Sequence, residues 1–153
     1  MKVKLLSAGA KVPKRAEEGA AGYDLYAPCD FIVNPGRSVM PLDIQIELNP
    51  GTEGQVRPRS GFSLKGMEGF VSASESTAKR FNVNVLLGTI DSSYRGNVGV
   101  ILQSFETQSF IIKAGTKIAQ MVISRHETEP FEVADTLSET SRGEGAFGHT
   151  GTM

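Results

Sequence analysis

The sequence predicts an all-β fold, a sandwich or closed barrel of short strands, and three features carry that prediction. Helical periodicity is nearly absent along the 153 residues. Leu42-Asp43-Ile44-Gln45-Ile46-Glu47-Leu48 alternates apolar and polar positions, as a strand does with one face on a core and the other on water. Asn34-Pro35-Gly36 and Asn49-Pro50-Gly51 bracket that segment, proline presetting φ and glycine admitting positive φ. A chain of this length supports one core, so a single domain is expected over 1–153, with a barrel over 1–135 and a mobile arm over 136–153.

Taken in order, strands are expected at Val3 to Leu6, and within Ala20 to Ala27, where Tyr23, Leu25 and Ala27 alternate with Asp24 and Tyr26. Further strands are expected at Leu42 to Leu48, Gly54 to Arg57, Val83 to Leu87, Val98 to Leu102, Ser109 to Lys113, Lys117 to Ser124 and Phe131 to Ala134. Val83–Leu87 and Val98–Leu102 flank a polar stretch, which together make a hairpin. Met67 to Asn82 breaks the pattern and is expected as an exposed excursion with one helical turn. Its Ser76-Thr77-Ala78-Lys79 matches the Ser-x-x-Lys of penicillin-recognising enzymes only formally, because the companion motifs are missing.

Composition narrows the function. A formal net charge of -1 gives no long-range field for nucleic acid or an anionic membrane, so a bound anion must be held by a local cluster. No run of some eighteen apolar residues occurs, and no membrane span is expected. Met1 to Ser7 lacks a sustained apolar segment, so no signal peptide is expected; the location is then cytoplasmic or nuclear, or a host-cell interior for a viral chain. Cys29 is the single cysteine, which excludes a disulfide framework within the chain. With His126 and His149 as the only histidines, a zinc site is not expected, and a metal would arrive with its ligand.

Five places carry candidate chemistry. In Gly88-Thr89-Ile90-Asp91-Ser92-Ser93-Tyr94-Arg95-Gly96, Asp91 is either a turn carboxylate bonded to its own backbone or a strand-end carboxylate that activates water, with Tyr94 as an aromatic wall. Arg57-Pro58-Arg59-Ser60-Gly61 is either an ordinary turn or a donor array for phosphate, built from the Arg59 guanidinium, the Ser60 hydroxyl and the Gly61 amide. Gln120 shares a strand face with Ile118 and Val122, where an apolar residue is expected, and its amide serves a core hydrogen bond, a ligand phosphate or a bound water. Asp24 is either a surface carboxylate or the group that orients an arginine. The glycine-rich Arg142 to Gly151 is either a frayed terminus or a lid, in which Phe147 covers a ligand while Arg142 grips its anionic end.

Five segments in order resemble the motifs of the trimeric, all-β dUTP nucleotidohydrolase (dUTPase) family over nearly the whole chain. They are Ala21-Gly22-Tyr23-Asp24-Leu25-Tyr26-Ala27, Pro58-Arg59-Ser60-Gly61, Gly88 to Gly96, Gly115-Thr116-Lys117-Ile118-Ala119-Gln120, and Arg142 to Gly151. The resemblance implies a jelly-roll subunit, a homotrimer with active sites shared between subunits, and hydrolysis of dUTP to dUMP and pyrophosphate with Mg²⁺ carried mainly by the triphosphate. Such an activity keeps dUTP low and supplies dUMP for thymidylate synthesis.

On that resemblance Asp91 is the catalytic residue, deprotonating the water that attacks the α-phosphorus. Tyr94 packs under the deoxyribose, the backbone of Val85 to Ile90, with Gly88 and Thr89, reads the uracil edge, and Gly99 belongs to the same substrate-binding group. Arg59, Ser60, Gly61 and Gln120 hold phosphates, Arg142, Phe147, Gly148 and Thr150 form the closing arm, and Asp24 supports the metal or the arginine. Ala146 and His149 stand where the family arm usually has glycine and serine. The alternative implied by the Met67 to Asn82 excursion is a dUTPase-fold binding or regulatory protein with reduced turnover.

Overall fold

The computed structural model describes residues 1–146. Thirteen strands and one short helix follow one another as β1 (Lys2–Leu5), β2 (Gly22–Tyr26), β3 (Phe31–Val33), β4 (Gly36–Pro41), β5 (Ile44–Glu47), β6 (Thr52–Arg57), α1 (Ser60–Lys65), β7 (Met67–Gly69), β8 (Lys79–Phe81), β9 (Val83–Val85), β10 (Gly88–Ile90), β11 (Gly99–Ser104), β12 (Phe110–Ile112) and β13 (Lys117–Arg125). All named pairings are antiparallel. They form a four-stranded sheet in the order β10-β6-β13-β2, a three-stranded sheet β4-β11-β9, and two-stranded ladders β1-β5, β12-β3 and β7-β8. The result is an all-β, jelly-roll-like barrel, as the resemblance implies.

The alternation at 42–48 does what it predicts, since Leu42, Ile44, Ile46 and Leu48 are all buried in the core. It is not one strand, however. Asp43 sits at φ 54, a left-handed conformation that aspartate tolerates better than most side chains, and the chain there leaves the β4 sheet to pair β5 with β1. Packing around this core includes Phe81 stacked on Phe110, ring centroids 4.0 Å apart. Gly69 lies so close beneath the Phe110 ring that a Cβ there would overlap it.

Two expected elements are corrected. Met67 to Asn82 contains no helical turn: β7 and β8 pair as a hairpin in which Met67 and Gly69 are buried, while 71–80 is mainly exposed, as expected of an excursion. The one helix comes earlier, at Ser60–Lys65, and buries no residue, so it leaves no apolar stripe to read in the sequence. Phe131 to Ala134 forms no strand; Phe131 and Val133 are fully exposed, because the described chain offers that segment no partner strand.

The expected hairpin is correct in pairing and incomplete in form. β9 and β11 pair in register Val85↔Leu102, and the Leu86 amide donates to the Ile101 carbonyl at 2.9 Å. Between them, Gly88–Ile90 departs as β10 to pair with β6 in the other sheet. The strand β13 also differs from simple alternation. A bulge between Lys117 and Ala119 puts Ile118 and Ala119 both in the core. Beyond it Met121 points inward and Gln120 and Val122 outward, so Gln120 does not share the face of Ile118.

Asp30, just before β3, ties the ends of β3 and β12 together. Its Oδ1 accepts from the Ala114 amide at 2.9 Å and its Oδ2 pairs with Lys113 Nζ at 2.9 Å. The amide first, and the Lys113 ammonium second, hold its carboxyl below the usual range, while slight desolvation opposes them. With the folded value below the unfolded one, the stabilisation is present above the unfolded pKa, about 4, and is lost as pH falls through the folded value. Asp30→Asn should therefore lower Tm by about 1–3 °C near neutral pH, as for an exposed pair, with the gap closing as the carboxyl protonates on acidification. Thermal melts across pH check this, and a gap independent of pH would refute it.

Candidate active site

Two clefts divide the predicted site residues. The larger, about 700 Å³, lies where β2, the end of β6, the start of α1 and β13 meet. Asp24, on β2, is its organising group: it is 7% exposed, its Oδ1 lies 3.2 Å from Arg59 Nε and its Oδ2 lies 2.7 Å from Lys117 Nζ. The Lys117 contact is close but poorly directed, so Oδ2 has an ion-pair partner without a well-formed hydrogen bond. Of the two readings of Asp24, the arginine-orienting one is observed.

Arg59 is the residue before the helix, extended at φ -81 and ψ 139, and its carbonyl accepts the Phe62 and Ser63 amides. Its side chain also reaches the Lys117 carbonyl at 3.3 Å, so two bonds to β2 and β13 aim the guanidinium. Ser60 and Gly61 follow as the first helical residues, both exposed on the cleft, and no side chain caps the helix start. Gln120 donates to the Pro58 carbonyl at 3.0 Å, fixing its amide over the cleft floor. Gly22 is needed beside it, because a Cβ at that position would overlap the Gln120 Oε1. The donor set of guanidinium, hydroxyl, amide and carboxamide suits oxyanions.

The second cleft, about 200 Å³, holds Gly88, Thr89, Ile90, Asp91, Tyr94 and Gly99. β10 delivers Asp91 to its mouth with an exposed carboxylate, while the Asp91 carbonyl accepts the Tyr94 amide at 3.0 Å and closes a tight turn. The turn is thus closed by the backbone and not by the carboxylate, so the reading of Asp91 as a carboxylate bonded to its own backbone is not observed, and the side chain is left exposed at the cleft. The Tyr94 hydroxyl donates to the Asn97 carbonyl at 3.0 Å, and its ring lies against Gly96, where a Cβ would clash.

The two clefts share no lining residue. Val85 belongs to neither: it is buried and lines a neighbouring hollow with Pro58, Phe62 and Leu87. Arg142 is not brought to either cleft; its Nε donates to the Gly145 carbonyl at 2.9 Å within an exposed turn. Phe147, Gly148 and Thr150, and with them His149, lie outside the described residues.

The residue patterns alone missed three participants. Arg57 lines the larger cleft directly opposite Gln120 in the β6–β13 register and is bonded to Gln55. Lys117 is the second cation on Asp24. Gly22 is set by the close approach of Gln120. Period-2 spacing from Gln120 along paired strands was the available signal for Arg57, whereas the other two need the register.

The comparisons with known proteins agree with this geometry. A family model described as dUTPase matches residues 8–72 and 66–151. A deoxyuridine 5'-triphosphate nucleotidohydrolase of Clostridium tetani is 42% identical over 154 residues, covering 99% of this chain and 96% of its own. A dUTPase of Staphylococcus bacteriophage 80alpha, solved with dUpNHpp, superposes with a TM-score of 0.80 at 26% identity, covering 98% of this chain and 97% of that one. A dUTPase from phage phi11 of S. aureus, whose structure is described as revealing the coordination of a structural Mg(II) ion, shares the fold at 22% identity and a TM-score of 0.74, with 88% and 96% coverage. With a family model matched from residue 8 to 151 and a 42%-identical relative covering 99% of its length, the chain belongs to the dUTPase family.

Proposed function

We propose that this chain hydrolyses dUTP to dUMP and pyrophosphate, with Asp91 as the general base and the Asp24-oriented Arg59 cleft receiving the phosphates. The observation that carries the reading is the division of labour between the clefts. One presents a fixed guanidinium, hydroxyl and carboxamide to an anion, and the other presents a free carboxylate beside an aromatic ring.

The family resemblance implies a homotrimer with shared sites, and two clefts without a common lining residue fit a reading in which one subunit's Asp91 cleft faces another's Arg59 cleft. The fully exposed Phe131 and Val133 and the exposed Leu137 fit a C-terminal segment that leaves its own barrel. On this reading Arg142, Phe147, Gly148 and Thr150 close over a site on a neighbouring subunit, which accords with the absence of any bond from Arg142 to either cleft of its own chain.

The chemistry follows from the parts. Asp91 takes a proton from a water held in line with the α-phosphorus; the new bond joins the water oxygen to that phosphorus, and the bond to the bridging oxygen of the leaving pyrophosphate breaks. Arg59, Ser60, Gly61 and Gln120 offset charge developing on the phosphates, and because Asp24 already holds Arg59 and the Pro58 carbonyl already holds Gln120, these two need little reorganisation in the transition state.

The cleft's donors are mostly cationic or neutral, and Asp24, its buried carboxylate, already faces two cations. Such a set fits Mg²⁺ carried on the triphosphate, with no protein ligand assigned to it directly, and a bound Mg²⁺ would neutralise phosphate charge there. Tyr94, pinned to Asn97 and flush on Gly96, forms a rigid floor under the sugar, where a ribose 2′-hydroxyl would have no room. The polypeptide groups at Gly88 to Ile90 offer fixed donors and acceptors to the uracil edge, and a cytosine would leave some unpaired at about 1–3 kcal/mol each.

Pyrophosphate release from dUTP with Mg²⁺ tests the reading directly, and release no faster than background would overturn it. UTP should give a kcat/KM at least about 100-fold below that of dUTP, and comparable values would remove Tyr94 from its role. Asp91→Asn should keep the fold and nucleotide binding while losing about 10²–10⁴ in kcat; a loss under threefold would exclude Asp91 as the base.

A further inference from the structure

The geometry points to Gln45, on β5, as a positioning residue that holds the Asp91–Tyr94 turn in its working place. The inference rests on the reading of Asp91 and Tyr94 proposed above.

The corner between β4 and β5 grips the chain just beyond that turn. The Leu42 amide donates to the Val98 carbonyl at 2.9 Å, and the Val98 amide donates to the Ile44 carbonyl at 2.8 Å. Leu42, Ile44 and Val98 are each 1% exposed, so this half of the grip is rooted in the core. The side-chain amide of Asn97 donates to Asp43 Oδ1 at 3.2 Å, and Asp43 is the residue held at φ 54. Gln45 extends the grip one step further: its Nε2 donates to the Arg95 carbonyl at 2.7 Å. Only the NH₂ end of the carboxamide can donate to a carbonyl, so the contact also fixes which way the Gln45 amide is turned.

Within the turn the bonds are local. Arg95 Nη1 donates to the Ser92 carbonyl at 2.6 Å and to the Tyr94 carbonyl at 2.8 Å, and the Tyr94 amide donates to Asp91. These make the turn a small rigid body without saying where it sits relative to the barrel. Among the described residues, Gln45 is the one side chain outside 91–97 that hydrogen-bonds to residues 91–96. Its own anchoring is sound: β5 pairs with β1, Gln45 standing opposite Lys4, between the buried Ile44 and Ile46. The Asp91 carboxylate and the Tyr94 ring therefore inherit their position from the core through β10 on one side and through Gln45 and Val98 on the other. Misplacement of a reacting group by about 1 Å costs roughly 10²-fold in rate, so a partial loosening should be visible in turnover.

Gln45→Leu removes the donor at nearly constant volume. Expected are an unchanged Tm within about 2 °C, faster amide hydrogen exchange in the peptide spanning 91–98, a fall in kcat of about tenfold with KM moved less than threefold, and weaker discrimination between dUTP and UTP. Unchanged exchange at 91–98 would overturn the inference, as would faster exchange with kcat and discrimination within twofold of the parent. If Gln45→Leu fails to fold, Gln45→Glu, which also lacks the donor and keeps a polar surface, carries the same measurements with the same outcomes. A parent protein that releases no pyrophosphate would defeat the reading of the site and with it the catalytic meaning of the contact. The exchange arm would still decide whether Gln45 holds the turn.

Discussion

A buried carboxylate with two cations on it organises the larger cleft. Asp24 would be costly to bury alone, and Arg59 and Lys117 offset that cost from opposite sides. In doing so they join three distant stretches of chain, β2, the lead-in to α1 and the start of β13, at one point. The guanidinium of Arg59 is thereby spent on orientation through its Nε, leaving its remaining donors directed by the same contact. An arginine at that position without Asp24 would be a flexible surface cation, and Ser60, Gly61 and Gln120 would surround a cleft with no fixed charge in it.

The second cleft is built on a different principle. Nothing charged faces Asp91 within bonding reach among the described residues, and its geometry comes from backbone: a strand that ends, a turn closed by the Tyr94 amide, and a core-rooted corner beyond. A general base benefits from that arrangement, because a carboxylate already paired with a cation would have less to offer a water. A rigidly held cation and a free carboxylate require contrasting surroundings, and the fold supplies them at separate places.

Much of this was legible in the residues, for identifiable reasons. Burial of Leu42, Ile44, Ile46 and Leu48 could be read because one face meets water. The break at Asp43 could not, since an aspartate fits the polar slot of an alternating strand as well as it fits a left-handed corner. β10 is three residues long and its partner β6 is far away in sequence, so nothing local marks Gly88–Ile90 as a separate strand. The apolar alternation of Phe131 and Val133 gave a strand signal, but pairing needs a partner that the described residues do not offer there. In the site, Asp91, Tyr94, Arg59 and Gln120 stood out by type and place, whereas Lys117 and Gly22 became visible only through register, and Gln45 passed for an ordinary outward residue of a half-buried strand.

The bulge at Lys117 to Ala119 has a consequence for how this chain can vary. Before it, β13 turns Ile118 to the core; after it, the opposite parity is in force, and Gln120 comes out over the cleft. A single residue added or lost between Lys117 and Gln120 would exchange the two parities, sending the carboxamide inward and Met121 outward. Length changes are tolerable at the hairpin tip between β7 and β8, where mainly exposed side chains surround the backbone. At the bulge the chain has no such latitude, and its residue count there is as much a part of the site as any functional group.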